Sequence, residues 1–279
     1  MPSVVLTQGD HEVAVTVDGT AFTNYLWADD GFFLAKPVLN PIHSASGTPV
    51  TRGFPLAPRP GERVDHPHHI GLWFNFGNVN GLDFWNNSED IAEDARSKYG
   101  TIRHRSIDKC EGGEGSGVLQ TTSEWLTPSG EALLRESTAY TFSAETNASS
   151  TRSIERTTEL TALTEVVFKD DKEGTMGIRV ARELEHPSED EAEFTDANGN
   201  ATVVSKMDNS DVVGLYTTSE GVTGDDVWGT RGDWCTLGGA INGEDVSLTV
   251  FDHPSNPGYP TYCKYTPTPH THLDFQGYF

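Results

Sequence analysis

The sequence predicts an all-β protein, a large antiparallel β-sandwich with few short helices. Three observations carry that expectation. Apolar and polar residues alternate over short runs, beginning with Val13, Val15 and Val17 in one phase, which is the period of a half-buried strand. Turn chemistry such as Asp18-Gly19, Glu111-Gly112-Gly113 and Thr127-Pro128-Ser129-Gly130 separates the runs. Only one short stretch, residues 90–97, reads as a helix. Many strands and almost no helices imply two large packed antiparallel sheets.

Taken in order, residues 11–17, 22–27 and 32–36 read as the first strands. Residues 37–65 hold Pro41, Pro49, Pro55, Pro58 and Pro60 with Gly47, Gly53 and Gly61, too many breakers for a regular element. A loop of that length inside a folded domain commonly carries or covers a site. This one delivers Arg52, Arg59 and Arg63. Residues 72–76 read as a strand, 77–81 as a tight turn, and Leu82-Asp83-Phe84-Trp85 as its return. Residues 102–108, 117–125, 132–142, 153–168 and 175–180 then form a meander of long antiparallel strands. Residues 183–207 are acidic and breaker-rich and read as a solvated excursion. Residues 212–217, 234–241 and 246–251 supply the closing strands, with a glycine-rich loop over 219–232. The chain, 1–279, is expected to form a single β-sandwich domain.

Charge narrows the function classes. Lys+Arg number 19 against 42 Asp+Glu, a formal net charge of −23. Such a surface repels phosphate backbones and anionic membranes, so neither is an expected partner. Acidic, lysine-poor composition also matches adaptation to a high-salt interior, where counterions screen the self-repulsion. Cys110, Cys235 and Cys263 are odd in number and scattered, which suits a reducing compartment and gives neither a disulfide framework nor a metal pair. The first residues lack a basic region and a long apolar core, so no signal peptide is expected. No window approaches the ~18 apolar residues of a membrane span. A soluble, cytoplasmic protein is the expectation.

The densest chemistry lies at Asp65-His66-Pro67-His68-His69, followed by Ile70-Gly71-Leu72-Trp73-Phe74. Three of the ten histidines fall within four positions. On an extended backbone His66 and His68 project from one face and His69 from the other. Imidazoles on a stiff segment suit proton transfer, metal binding or the gripping of a polar ligand. A loop-to-strand junction whose histidines only satisfy backbone groups is the plainer alternative.

Ser46-Gly47-Thr48-Pro49-Val50-Thr51-Arg52-Gly53-Phe54-Pro55, Asp65-His66-Pro67-His68-His69 and Gly71-Leu72-Trp73-Phe74 resemble the soluble family labelled "methane oxygenase PmoA". So do Val79-Asn80-Gly81-Leu82-Asp83-Phe84-Trp85, Lys172-Glu173-Gly174, Gly177-Ile178-Arg179-Val180, Trp228-Gly229-Thr230-Arg231-Gly232 and Phe251-Asp252-His253-Pro254. A true particulate methane monooxygenase subunit is a bundle of membrane helices. A mean hydropathy of −0.47 and the lack of an apolar span do not allow that, and methane oxidation is not expected. The resemblance implies instead a supersandwich like that of the galactose and other aldose mutarotases, in which histidine, aromatic and arginine side chains on a concave sheet bind sugars. After Tyr262 the chain departs from the family pattern, so residues 263–279 are read as a divergent tail and His270 and His272 are not counted as site residues.

These readings make a carbohydrate-acting enzyme the leading expectation. His66, His68 and His69 would supply acid and base, with Asp65 orienting an imidazole or accepting a proton. Trp73, Trp85 and Trp228 could stack on a sugar face. Arg52, Arg179 and Arg231 could anchor an anionic or polyhydroxyl group. Asn75, Glu173 and His253 complete the expected binding set. No cofactor is required; the alternative is a divalent metal at His66 and His68 serving a lyase or oxygenase. A non-catalytic carbohydrate-binding module is the third reading. The expected partner is a small carbohydrate-like ligand, and the oligomeric state is left open.

Overall fold

A computed structural model describes residues 1–28, 33–145, 151–188, 190–206, 208–264 and 272–276, with backbone alone for 264 and 272–276. It is all-β and sandwich-like: about 49% is strand, and the 4% that is helix forms single turns. The residues group into two compact units, each drawn from two stretches of chain. The first comprises Met1–Pro49 and Phe76–Lys169, the second Val50–Asn75 and Asp170–Phe279.

In the first unit β1 (Ser3–Gln8), β2 (Glu12–Val17), β3 (Thr20–Leu26) and β4 (Val38–Leu39) pair in succession, all antiparallel. The fifth strand, β5 (Leu72–Phe76), falls in the second unit as far as Asn75. Next come β6 (Thr101–Glu111), the two-residue β7 (Gly113–Glu114), β8 (Ser116–Leu126), β9 (Ala132–Ala144) and β10 (Arg152–Ala162). β7 lies beside β1, and the other four make a second sheet in the order β10-β9-β8-β6. Period-2 patterning faces the sheets together: Leu119, Thr121, Ser123 and Trp125 of β8, and Glu136, Thr138, Tyr140 and Phe142 of β9, are buried. Phe22 meets Phe142, and Tyr25 meets Tyr140 and His104, across the interior. The buried Glu136 carboxylate accepts from Trp125 Nε1, Thr138 Oγ1 and Arg156 Nη2 at 2.6–2.9 Å, so its charge is matched where water cannot reach.

The second unit holds β5, β11 (Gly174–Arg179), β12 (Ala192–Thr195), β13 (Ala201–Val204), β14 (Leu215–Thr218), β15 (Thr230–Arg231), β16 (Trp234–Ile241), β17 (Glu244–Phe251), β18 (Tyr262–Lys264) and β19 (His272–Gln276). One sheet runs β15-β18-β19-β11-β5, a second β14-β16-β17, and β12 pairs with β13 as a hairpin.

Four expectations need correction. Residues 33–36 form no strand, and Phe32 lies outside the described residues; Pro37 has no N–H to give a ladder, and pairing starts at Val38. Residues 90–97 are not a helix. One 3-10 turn forms at Arg96–Lys98 behind an Ala95 without a capping side chain, and Glu89, Asp90, Glu93 and Asp94 would repel one another along a helix. The acidic stretch 183–207 is only partly solvated: Leu184, Glu185, Phe194 and Thr195 are buried. The strand expected over 153–168 ends at Ala162, where its partner runs out: Ala162 already faces Leu134, and β9 begins at Ala132.

Candidate functional site

The segment from Asp65 to Trp73 lies within the second unit, and its shape is set by one arginine. Arg52 is 1% exposed. Its Nη1 donates to the carbonyls of Arg63 (3.3 Å) and Asp65 (2.9 Å) and to Asp65 Oδ1; its Nη2 donates to the carbonyls of His66 (3.0 Å) and His69 (3.1 Å). Such a rigid fork of donors is a property of guanidinium and not of ammonium. The backbone of Arg52 is itself fixed, its N–H donating to the Arg179 carbonyl at 3.0 Å.

Held this way, residues 66–69 form a turn and not the extended segment the sequence suggested. His69 N–H donates to the His66 carbonyl at 2.9 Å, and Pro67 occupies the second turn position, which its fixed φ favours. His66 takes φ of +41°. That left-handed conformation costs a non-glycine residue ~1–2 kcal/mol and persists only where the surroundings over-determine it. The Arg52 and His69 hydrogen bonds to its carbonyl are those surroundings.

The turn gathers the imidazoles. His66 stacks on His69 at 4.9 Å between centroids and 13° between planes, and His69 stacks on Trp73 with the same values. His68 meets His69 edge-on at 4.2 Å and His66 at 5.5 Å. His68, His69 and Trp73 are buried, while the His66 side chain is 30% exposed. His66 is therefore the member of the stack that faces solvent. Its Nδ1 lies 3.6 Å from Asp65 Oδ2, within ion-pair range but too long for a formed hydrogen bond.

Beneath the turn is a charged frame. Asp65 Oδ1 accepts from Arg52 and from Arg179 Nη2 (2.9 Å). Glu185, 1% exposed, accepts from Arg63 Nε (2.9 Å), Arg182 Nη1 (3.0 Å) and Arg179 Nη2 (3.3 Å). Burial, and then the positive charge of Arg179, push Arg52 down to about 9, with Asp65 and Glu185 pulling the other way. It remains a cation at neutral pH. Burial likewise lowers Arg182, opposed by Glu185 and reinforced by Arg63. Glu62 anchors the preceding loop through Gly53 N–H (2.7 Å), Arg59 N–H (2.9 Å) and Arg59 Nε (2.8 Å). Gly53 cannot carry a side chain, because a Cβ would sit 2.1 Å from the Ala57 carbonyl oxygen.

The family described as "Family of unknown function (DUF6807)" matches residues 12–272. The chain belongs to that family. The DUF6807 match spans the histidine turn, its arginine frame and Glu185. No curated protein and no solved structure matches the chain.

The structure brings Asp65, His66, His68, His69, Arg52, Arg179 and Trp73 together in the second unit. Their roles differ from those expected. Arg52 holds the turn, and Trp73, wholly buried with one face on His69, offers no ring face to a sugar from solvent. Asn75 is buried on β5. Glu173 precedes β11 and pairs with Lys172 at 3.1 Å. Trp85 belongs to the first unit and is 1% exposed, its N–H on Asp83 Oδ1; burial leaves it no sugar-stacking face. Trp228 is exposed, Arg231 lies over the Tyr262 ring at 4.5 Å, and His253 Nδ1 accepts from Ser255 N–H at 3.2 Å in an exposed turn. Among the described residues, no group of three His, Cys, Asp or Glu is arranged to hold a metal. His66 and His69 turn ring faces, not ring nitrogens, towards each other.

Sequence reasoning missed Glu185 and Arg182. Glu185 sits among other acids (Glu183, Glu189, Asp190, Glu191), and nothing local marks it as the one that is buried. A partial signal was the loop arginines: in a chain poor in cations, Arg52 and Arg63 close to one segment call for carboxylate partners wherever they are buried.

Proposed function

We propose that this protein is an enzyme acting on a sugar or sugar derivative, with His66 transferring a proton at the reacting centre and Asp65 orienting it. The carrying observation is the pairing of a strained, solvent-facing His66 with a carboxylate whose other oxygen is held by two buried arginines. A carboxylate beside Nδ1 fixes the ring's orientation and stabilises the charge it carries while protonated. Apo distances of this kind commonly tighten when ligand binds. His69 and Trp73 back the ring, and an aromatic face supports a cation. Ring opening, epimerisation and elimination each need one group to give a proton and one to take it, and neighbouring His68 is the second candidate. Solution as a small-molecule enzyme also suits a strongly acidic surface that disfavours nucleic acid and anionic membranes.

The experiment is a turnover screen of aldoses, uronates and oxidised sugars across pH, with metal analysis of the purified protein alongside. Conversion of one compound with a rate set by a group titrating near neutrality, lost in His66→Asn, supports the reading. A stoichiometric divalent ion that disappears in His66→Ala replaces metal-free proton transfer with the metal-dependent lyase or oxygenase. Binding without conversion leaves a carbohydrate-binding module.

A further inference from the structure

Arg63 and Arg179 bracket Glu185 from its two oxygens, Arg63 Nε on Oε2 and Arg179 Nη2 on Oε1. Both guanidiniums are at most 1% exposed. Their carboxylate partners engage only part of each donor set. Among the described residues, Nη1 of Arg63 and both Nε and Nη1 of Arg179 have no hydrogen-bond partner. The face of Arg63 is covered by the Phe194 ring at 5.0 Å, which also carries Arg182 at 5.5 Å, so these side chains are held in place. Arg52 completes the group: four guanidiniums meet two carboxylates, Asp65 and Glu185, inside a protein whose formal net charge is −23. A buried charged donor left unmatched costs more than a neutral one. Arg156, at Glu136 in the first unit, shows the usual remedy, one carboxylate to one guanidinium.

We propose that Arg63 and Arg179 form a buried subsite for a compact monoanion, filled either by free chloride or by the carboxylate of the bound ligand. Only the second source rests on the function proposed above, whose ligand would then be a sugar acid and not a neutral sugar. A halide or carboxylate accepts several N–H bonds at once and balances the local excess of positive charge, which a neutral acceptor cannot do.

The test is thermal unfolding of the whole chain at fixed ionic strength in potassium 2-(N-morpholino)ethanesulfonate, a bulky anion, replaced stepwise by chloride or by glucuronate, with glucose as the neutral control. The midpoint is expected to rise by about 3 °C per tenfold of anion above its dissociation constant, not to respond to glucose, and to lose its dependence in Arg63→Met. A chloride response that glucuronate does not exceed identifies the free ion. A larger glucuronate response identifies the ligand carboxylate. Equal midpoints in all three salts overturn the subsite. If Arg63→Met does not fold, bromide-soaked crystals of the unaltered protein decide: an anomalous peak within hydrogen-bond reach of Arg63 or Arg179 supports the subsite, and its absence overturns it. A chloride response without turnover of any sugar would remove the proposed function and leave the subsite standing.

Discussion

At the scale of single residues, His66 and Arg52 are two halves of one device. His66 has a left-handed backbone and a side chain that is 30% exposed, and Arg52 donates to its carbonyl. His66→Gly relaxes the backbone by ~1–2 kcal/mol but loses the ring stack and adds unfolded-state freedom. Urea unfolding should place it within about 1 kcal/mol of the parent, while turnover disappears. A loss above about 2 kcal/mol would mean that the ring is structural. Arg52→Ala removes one partner of a buried pair and five hydrogen bonds, and should cost about 3–5 kcal/mol. Arg52→Lys should recover only part of that, because an ammonium cannot fork to the Asp65 carboxylate and the turn carbonyls together. The three histidines and Asp65 were legible in the sequence because unusual residues crowd one segment. Their mutual geometry was not, since alternation assumes an extended chain and Pro67 with Arg52 makes a turn. The inward role of Arg52 was equally hidden: an arginine that binds substrate and one that binds its own backbone look the same in sequence.

At the scale of elements, the long strands were legible and the short ones were not. β16 and the whole of β5 follow the apolar patterning residue for residue, and β6, β8 and β9 differ from expectation only at their ends. β4, β7 and β15 have two residues each; their pairing is decided by neighbours, and no period is visible over two positions. The 12–13 hairpin was obscured by acidic composition, although Phe194 within it covers two arginines. β6 also carries a testable pH effect. His104 accepts or donates to Tyr25 Oη at 3.1 Å and stacks on Trp27 at 4.3 Å, and burial lowers it to about 4. The unfolded chain, with an ordinary histidine near 6.5, then binds more protons than the folded one between those values. Stability from this ring is complete above about pH 6.5 and falls as pH drops towards 4. Because the ring is partly exposed, the effect should be about 1–2 kcal/mol, below the full value of the shift. Unfolding midpoints of His104→Phe against the parent over that range should show a shallower acid slope; equal slopes would contradict the assignment.

At the scale of the molecule, net charge sets the conditions under which the rest operates. With −23 on 279 residues, self-repulsion acts over a Debye length of ~10 Å at 0.1 M salt and only ~3 Å at 1 M. Dialysis from molar to low salt should lower the unfolding midpoint whichever monovalent anion is present, a response distinct from the anion-specific one at Arg63 and Arg179. An unchanged midpoint would show that the acidic surface is tolerated without screening. The small polar ligand proposed for the site is compatible with that charge. The most direct measurement of the central claim follows a panel of aldoses, uronates and oxidised sugars by NMR with the parent protein and His66→Asn. The account predicts that at least one compound is converted, and that His66→Asn lowers its rate by about 100-fold or more while the compound still binds. Compounds that bind yet never react between about pH 5 and 9, or turnover by His66→Asn at the parent rate, would contradict it.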